Sequence, residues 1–558
     1  MNKRVKNALK IFIGLIYILF SLTPLTSYAW VDENDDQTEL TEEEIQKALE
    51  SGQIDLSQDM YEQGVMLAGN TDYAMKMIAG NTRYETSGLE AMSAFQSADV
   101  VIIASGESYS DSIAGASLAG ALDAPILLTN PTVLSQVTKD AIATLSPSKI
   151  LILGGDKAVS SEVEAELKIM ANEVIRLGGE DRFDTQLNIY SYGSENGYWT
   201  ADTAVICTGL DFADALSISP VVFQQKLPVF FVGQNKNLTL NETQILKEAG
   251  VSQYIILGGE QVVSDEVDTY LSTLGSVIRL SGKTRYETSL KINRYAIQNS
   301  GFNWNSIAIA SGKSPWDALG GGVMQGKLNR LITLMDVNQQ KKEPEVYIDQ
   351  KPDEVVFLGG KDVYPNYFKA EVAYKMGYGI QEIEGFKIYI DAGHGWNDLN
   401  NGLYATGACG CGRREVDLNQ ELADKVSEIL KYQYGMNVFV NEKGWYKLRQ
   451  AQAKELDCGL FLSIHFNAAG GSGTETYTHS YNAQWGSEHL QDCVTGRLVA
   501  ATGLENRGEK KEEFAVCGGS VPAVLCEICF IDNWNDMYAY DRAKDAIASA
   551  LAEGIMAW

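Results

Sequence analysis

From about residue 76 to residue 375 the chain alternates short apolar runs with longer stretches in which apolar residues recur every three or four positions. Runs such as 100–104 read as buried strands, and stretches such as 111–122 read as helices. That alternation predicts parallel sheets with helices packed on them. The pattern is written three times. GNTRYETS at 80–87, GEDRFDTQ at 179–186 and GKTRYETS at 282–289 open the units, so Arg83, Arg182 and Arg285 recur about every 100 residues, the size of a small domain rather than of a solenoid repeat. Each unit then passes through a strand to a glycine corner and an aspartate, at Gly106 and Asp111, Gly209 and Asp214, and Gly312 and Asp317, and closes on LGG. The corner is a weak nucleotide loop, because no P-loop lysine and no GxGxxG follows. The aspartates are expected to cap the helices that follow them, and each arginine to pair with the acidic residue two positions on. Recurrence leaves a ligand role open, since either role would be copied with the domain.

The last third carries a different pattern. An apolar run at 388–390 ends at Ala392 and Gly393, which projects His394 from the carboxyl end of a predicted strand. LFLSIHFNA is a second apolar strand that ends in a histidine, His465. Glu415 opens an amphipathic helical stretch that is apolar at Val416, Leu418, Leu422, Val426 and Leu430. Two histidines and a carboxylate form a usual catalytic metal set, with the fourth position left for water. PAVLCEICF places Glu527 among apolar neighbours. A carboxylate there needs a partner or a shifted pKa, and work as a general base would supply the reason.

Composition narrows the setting. Lys3, Arg4, Lys6 and Lys10 precede an apolar run at 11–22, and Ser27, Tyr28 and Ala29 follow. Residues 1–29 are therefore expected to be a secretory signal peptide; an uncleaved anchor is the alternative, against which the apolar run is short for a spanning helix. No later stretch is apolar enough to span a bilayer, so no membrane span is expected in the mature protein. Residues 30–75 read as an acidic and then helical lead-in around Ile45, Ala48 and Leu49, a spacer without chemistry. The net charge of -28 argues against nucleic acid as a partner, and makes attachment to an anionic surface a matter of local sites or bridging cations. Of the eight cysteines, Cys526 and Cys529 read as small buried hydrophobes rather than disulfide halves. Cys409 and Cys411 fall in the loop before Glu415, where a second metal site or a staple competes with a plain flexible loop.

The segments IYIDAGHG, REVDLN, LFLSIHFNA, NRG and AVLCEICFIDN, in that order, resemble the zinc-dependent N-acetylmuramoyl-L-alanine amidases of the amidase type 3 family. The resemblance implies an α/β zinc amidase domain at 386–558, with His394, Glu415 and His465 on Zn2+ and Glu527 as the catalytic glutamate. It implies cleavage of the amide between N-acetylmuramic acid and L-alanine in peptidoglycan. Asn506, Arg507 and Gly508 match a family segment at the substrate groove, where Arg507 would meet a peptide carboxylate; a plain surface arginine is the alternative. His479 and His489 are expected to be ordinary surface or helix residues. Two departures stand out: HGW replaces HGG at Trp396, and the cysteine loop lengthens the gap between His394 and Glu415.

The three units resemble the cell wall binding repeat 2 family, with boundaries expected at 76–174, 175–277 and 278–376. That resemblance implies three Rossmann-like parallel-sheet modules in a pseudo-threefold arrangement, which hold an exported protein on a Gram-positive-type cell wall. The partner implied is an anionic cell-wall polymer, met at the LGG turns Gly154 and Gly155, Gly258 and Gly259, and Gly359 and Gly360. Backbone N–H groups at a glycine turn can approach an anion unobstructed, although a tight turn alone would also account for them. The expected protein is a secreted autolysin. A wall-anchored surface protein with an inactive amidase domain, or a zinc endopeptidase of wall peptides, are the alternatives.

Overall fold

A computed structural model describes residues 40–51, 73–199, 202–338, 343–397 and 403–558. The expected signal peptide and most of the acidic lead-in lie outside them, as does the side chain of Trp396. The chain divides into two compact units, Asn70–Tyr378 with Glu382–Glu384, and Gly385–Trp558 with Gly379–Gln381 and the segment within Met1–Gly69.

The first unit holds three four-stranded parallel sheets of one plan. In the first, Val100–Ser105 lies between Ile126–Thr129 and Lys149–Leu153, and Glu173–Leu177 adds the edge. In the second, Thr203–Thr208 and Gln253–Leu257 are central, with Val229–Val232 and Ser276–Leu280 outside. The third departs from a simple copy. Its edge is Met75–Ile78, the strand that precedes the first repeat, paired with Glu354–Leu358. The start of the unit is thus stitched to its end. Central strands are buried on both faces, which is why they read as unbroken apolar runs.

The helices Ser110–Leu122, Ala213–Gln225 and Gly321–Lys327 pack on one another. Their approach is close: a Cβ on Gly120 would lie 1.9 Å from the carbonyl oxygen of Phe223. The predicted aspartate caps are not made. Tyr109 and Phe212 occupy the N-cap positions, without a side-chain cap bond. Asp111 and Asp214 are the second residues of their helices, and Asp317 lies in the turn before Gly321. They turn instead toward the LGG glycines, where a Cβ on Gly154 would meet Asp111 Oδ2 at 2.6 Å and one on Gly258 would meet Asp214 Oδ2 at 3.0 Å. Burial there pushes the Asp214 carboxyl up to about 6.

The arginines do hold the fold, by other partners than those predicted. Arg83, Arg182 and Arg285 donate Nη1 to the carbonyl oxygens of Gly106, Gly209 and Gly312 at 2.7, 2.7 and 2.5 Å. Their guanidinium groups lie over Trp316, Tyr109 and Phe212, aromatics from other repeats, at 4.4, 5.5 and 5.7 Å. Glu85 and Glu287 accept instead from the backbone N–H of Asn81 and Lys283, and Arg285 pairs with Asp211 at 3.0 Å.

The second unit is built on a seven-stranded mixed sheet. Lys387–Asn397 runs parallel to Asn437–Lys443 on one side and to Leu460–Asn467 on the other. Ala523–Phe530 follows in parallel, then Thr474–His479 antiparallel to it, with Asn506–Glu512 at the edge. The helix Glu415–Tyr432 buries Leu418, Leu422, Val426 and Leu430, the stripe seen in the sequence. Tyr389 stacks on Phe461 at 4.7 Å in the core beneath. The stretch read as a spacer forms the helix Glu42–Glu50 and packs on this unit: Ala48 is buried against Leu448 and Ala451, with Leu40, Ile45, Leu49 and Trp445 around it. The eight cysteines are free.

Candidate metal centre and groove

His394 takes a positive φ of 69° at an irregularity within Lys387–Asn397, a strand that continues past Ala392 and Gly393, where it was expected to end. The parallel register sets His465 next door, and Gly393 makes the space: a Cβ there would lie 2.3 Å from the His465 ring. Glu415 arrives from the first turn of its helix, after the short hairpin of Cys409–Gly410 and Arg413–Arg414. Its Oε2 lies 3.0 Å from His394 Nε2 and its Oε1 3.0 Å from His465 Nδ1. The backbone N–H groups of Ala408 and Phe466 donate to the same carboxylate at 2.8 and 3.1 Å. Burial raises the proton affinity of Glu415, but the two histidines outweigh it and hold the carboxyl well below its usual range. One ligand atom from each of the three lies within 4.8 Å of the others, and this trio can hold a metal ion. It is the group of that kind among the described residues; the cysteine loop adds none.

Behind the trio is a buried network that sequence reading missed. Arg449, 3% exposed, pairs with Asp391 and donates Nη2 to the carbonyl oxygen of His394 at 2.5 Å. Ser463 Oγ donates to Asp391 at 2.6 Å, and Asn419 Nδ2 to the Gly393 carbonyl at 2.9 Å. These bonds fix the backbone on both sides of His394. Asp391 follows directly on the apolar strand, and its place among buried neighbours was the one available signal.

Glu527 stands opposite His465 in the parallel register. The residue is part-exposed, yet its Oε2 is buried without a hydrogen-bond partner. Burial first, then the charges of Glu415 and Glu475, push its carboxyl well above the ordinary range. Glu475 faces Glu527 from the antiparallel neighbour. It accepts from Arg507 Nε at 2.6 Å, Lys510 Nζ at 2.5 Å, Asn467 Nδ2 at 2.7 Å and Tyr477 Oη at 2.8 Å. Arg507 also lies over the Phe530 ring at 4.9 Å. The alternation in TETYTH, with a carboxylate on the inward phase, was the signal for Glu475.

His394, Glu415, His465, Glu527, Glu475 and Arg507 all line one cavity of about 1750 Å³. Asn506 does not join them; its Oδ1 accepts from Gly508 N at 2.8 Å. His479 is not a surface residue. It is buried on the cavity wall, where its Nδ1 accepts from the backbone N–H of Asn482 at 3.1 Å. His489 is part-buried on the helix Ser487–Thr502 beside Cys493. In the repeats, Gly154, Gly258 and Gly359 have positive φ and are buried, whereas Gly155, Gly259 and Gly360 are half-exposed. Gly360 lines a smaller cavity of about 600 Å³ with Arg83, Trp316 and Asp317.

A histidine–glutamate–histidine trio at the carboxyl edge of a largely parallel sheet, with a further carboxylate in the same cavity, is an arrangement suited to a hydrolase that can hold a metal ion. Residues 388–557 match the family described as N-acetylmuramoyl-L-alanine amidase, and 77–164, 176–268 and 279–369 match cell wall binding domain 2. The chain belongs to the N-acetylmuramoyl-L-alanine amidases, with three cell wall binding repeats before the enzyme domain. It is similar to N-acetylmuramoyl-L-alanine amidase LytC of Bacillus subtilis, 27% identical over 87% of this chain and 95% of that protein. It is also similar to the uncharacterized protein YqiI of Bacillus subtilis, 34% identical over 31% of this chain and 85% of that protein. Among solved structures, Cwp6 from Clostridium difficile is 24% identical, covering 87% of this chain and 79% of that one, with a TM-score of 0.49. The protein is a cell-wall-bound peptidoglycan amidase.

Proposed function

We propose that this protein is an exported autolysin in which zinc is the metal, His394, Glu415 and His465 its ligands, and Glu527 the general base. The observation that carries the reading is the Glu415 carboxylate set between two histidines, 3.0 Å from each, in a cavity that also receives the unpartnered Oε2 of Glu527. The donor set suits zinc: two imidazoles and one carboxylate, held by backbone N–H groups and a buried network, with space beyond them. When bound there, zinc supplies a Lewis acid that polarises the scissile carbonyl and acidifies water.

The chain's own residues do the rest. Glu527, with its raised proton affinity, takes the proton of the attacking water and delivers it to the departing L-alanine nitrogen. Arg507, anchored by Glu475, presents its guanidinium to a carboxylate of the stem peptide. Asn506 shapes the turn that carries Arg507, through its bond to Gly508. Residues 1–29 direct export, and 76–376 bind an anionic wall polymer, with Gly155, Gly259 and Gly360 the accessible members of the LGG turns and Gly154, Gly258 and Gly359 shaping them. Retention on the wall keeps the amidase at high local concentration beside an insoluble substrate.

Mass spectrometry of fragments released from peptidoglycan tests the bond. New L-alanine amino termini, with intact glycan chains, are the expected products; termini inside the stem peptide would mark an endopeptidase instead.

A further inference from the structure

The helix Glu42–Glu50 belongs to neither matched family segment, yet it rests on the amidase unit. A helix of nine residues does not persist alone in water, so its order comes from what it packs on. Its amino terminus is closed by a capping box: Glu44 Oε2 accepts from Thr41 N at 2.8 Å, and Thr41 Oγ1 accepts from Glu44 N at 3.3 Å. One face, through Ile45, Ala48 and Leu49, meets Trp445, Leu448 and Ala451. Ala451 lies on the helix Arg449–Glu455, whose first residue holds the backbone of His394. Glu43, Glu44, Lys47 and Glu50 face solvent.

Leu40, Ile45, Gln46 and Leu49 also line the cavity that contains His394 and Glu527. They border it without filling it, since the His394 and His465 side chains keep 26% and 16% exposure. A glycan–peptide substrate is long, with apolar sugar faces and polar edges, and needs a wall on each side of the reacting amide. We propose that this upstream helix is a wall of the substrate groove, in which Ile45 and Leu49 give the substrate an apolar surface and Gln46 a polar rim. The inference rests on the amidase reading of the site, and it makes substrate affinity depend on residues encoded before the wall-binding repeats.

The test uses the full chain and a soluble glycan fragment carrying its stem peptide, so that retention by the repeats does not enter. An Ile45→Ser, Leu49→Ser double variant is expected to raise KM roughly three- to tenfold while kcat stays within about twofold of wild type. Gln46→Trp, at an exposed position outside the apolar cluster, keeps the fold and is expected to raise KM likewise. Unchanged KM in both variants overturns the proposal. So does a rise in kcat, which would make the helix a cover over the site. A fall in kcat together with a lowered unfolding midpoint, and no effect of Gln46→Trp, would leave the helix a structural prop and also overturn it. Inactivity of the wild type on a fragment with the right amide would overturn the amidase reading first, and this inference with it.

Discussion

Glu475 and Glu527 face each other in register on adjacent antiparallel strands, one wrapped by four donors and the other left with an unpartnered buried oxygen. The first carboxylate thereby orders the cationic side of the groove and raises the proton affinity of the second. Glu475→Gln removes a negative charge and loosens Arg507 and Lys510. The prediction is a KM raised roughly tenfold and an acidic limb of the kcat/KM profile displaced to lower pH, since Glu527 then loses its proton more readily. A pH–rate profile of both proteins checks the two effects together. An unmoved limb would mean that the charge of Glu475 does not reach Glu527.

Gly393 has a neighbour that no side chain can share. A Cβ at that position would lie 2.3 Å from the His465 ring, so Gly393→Ala must displace the ring or the strand that carries it. On the zinc reading, metal affinity falls about tenfold or more while the protein still folds. Competition with a chromogenic chelator measures the first, and circular dichroism the second.

The ion pair of Arg449 and Asp391 is buried, with exposures of 3% and 0%. Replacing one partner strands the other charge. Arg449→Met is expected to destabilise the amidase unit by about 3–5 kcal/mol, read from urea unfolding. The double variant with Asp391→Asn should recover part of that loss, because no uncompensated charge then remains.

Asp214 predicts how the repeats respond to pH. Burial, then the neighbouring charge of Asp211, raises its folded pKa to about 6, well above the ordinary carboxylate range. A raised acid contributes stability that is complete below its unfolded pKa and is lost as pH rises through the folded one. Asp214→Asn should therefore raise the free energy of unfolding at neutral pH relative to wild type, by at most about 3 kcal/mol, and flatten the stability change between roughly pH 4 and pH 7. Calorimetry at several pH values reads both.

What could be read in the sequence, and what could not, divides by the range of the interactions. His394 and His465 were visible because each follows an apolar run, and the parallel pairing of their strands brings them side by side. The threefold pattern was visible because its strands are buried on both faces. The aspartates misled because a glycine corner followed by an acid looks like a local cap, whereas Asp111 and Asp214 answer to glycine turns about 40 residues later, a packing relation that propensity does not encode. Arg449 and Asp391 are drawn together from 58 residues apart in the chain, and nothing in either neighbourhood announces the other. The helix at Glu42–Glu50 showed its apolar face at once. Its partner lies beyond three whole repeats, so the face read as a spacer.

The most direct test compares the wild type with Glu527→Gln, measuring bound zinc and the products released from peptidoglycan. On this mechanism both proteins hold about one zinc per chain, the wild type releases L-alanine amino termini, and turnover is at least about a hundredfold lower in the variant, on the order of a lost general base. Equal turnover in the two proteins, or full wild-type activity after zinc is stripped, would contradict it.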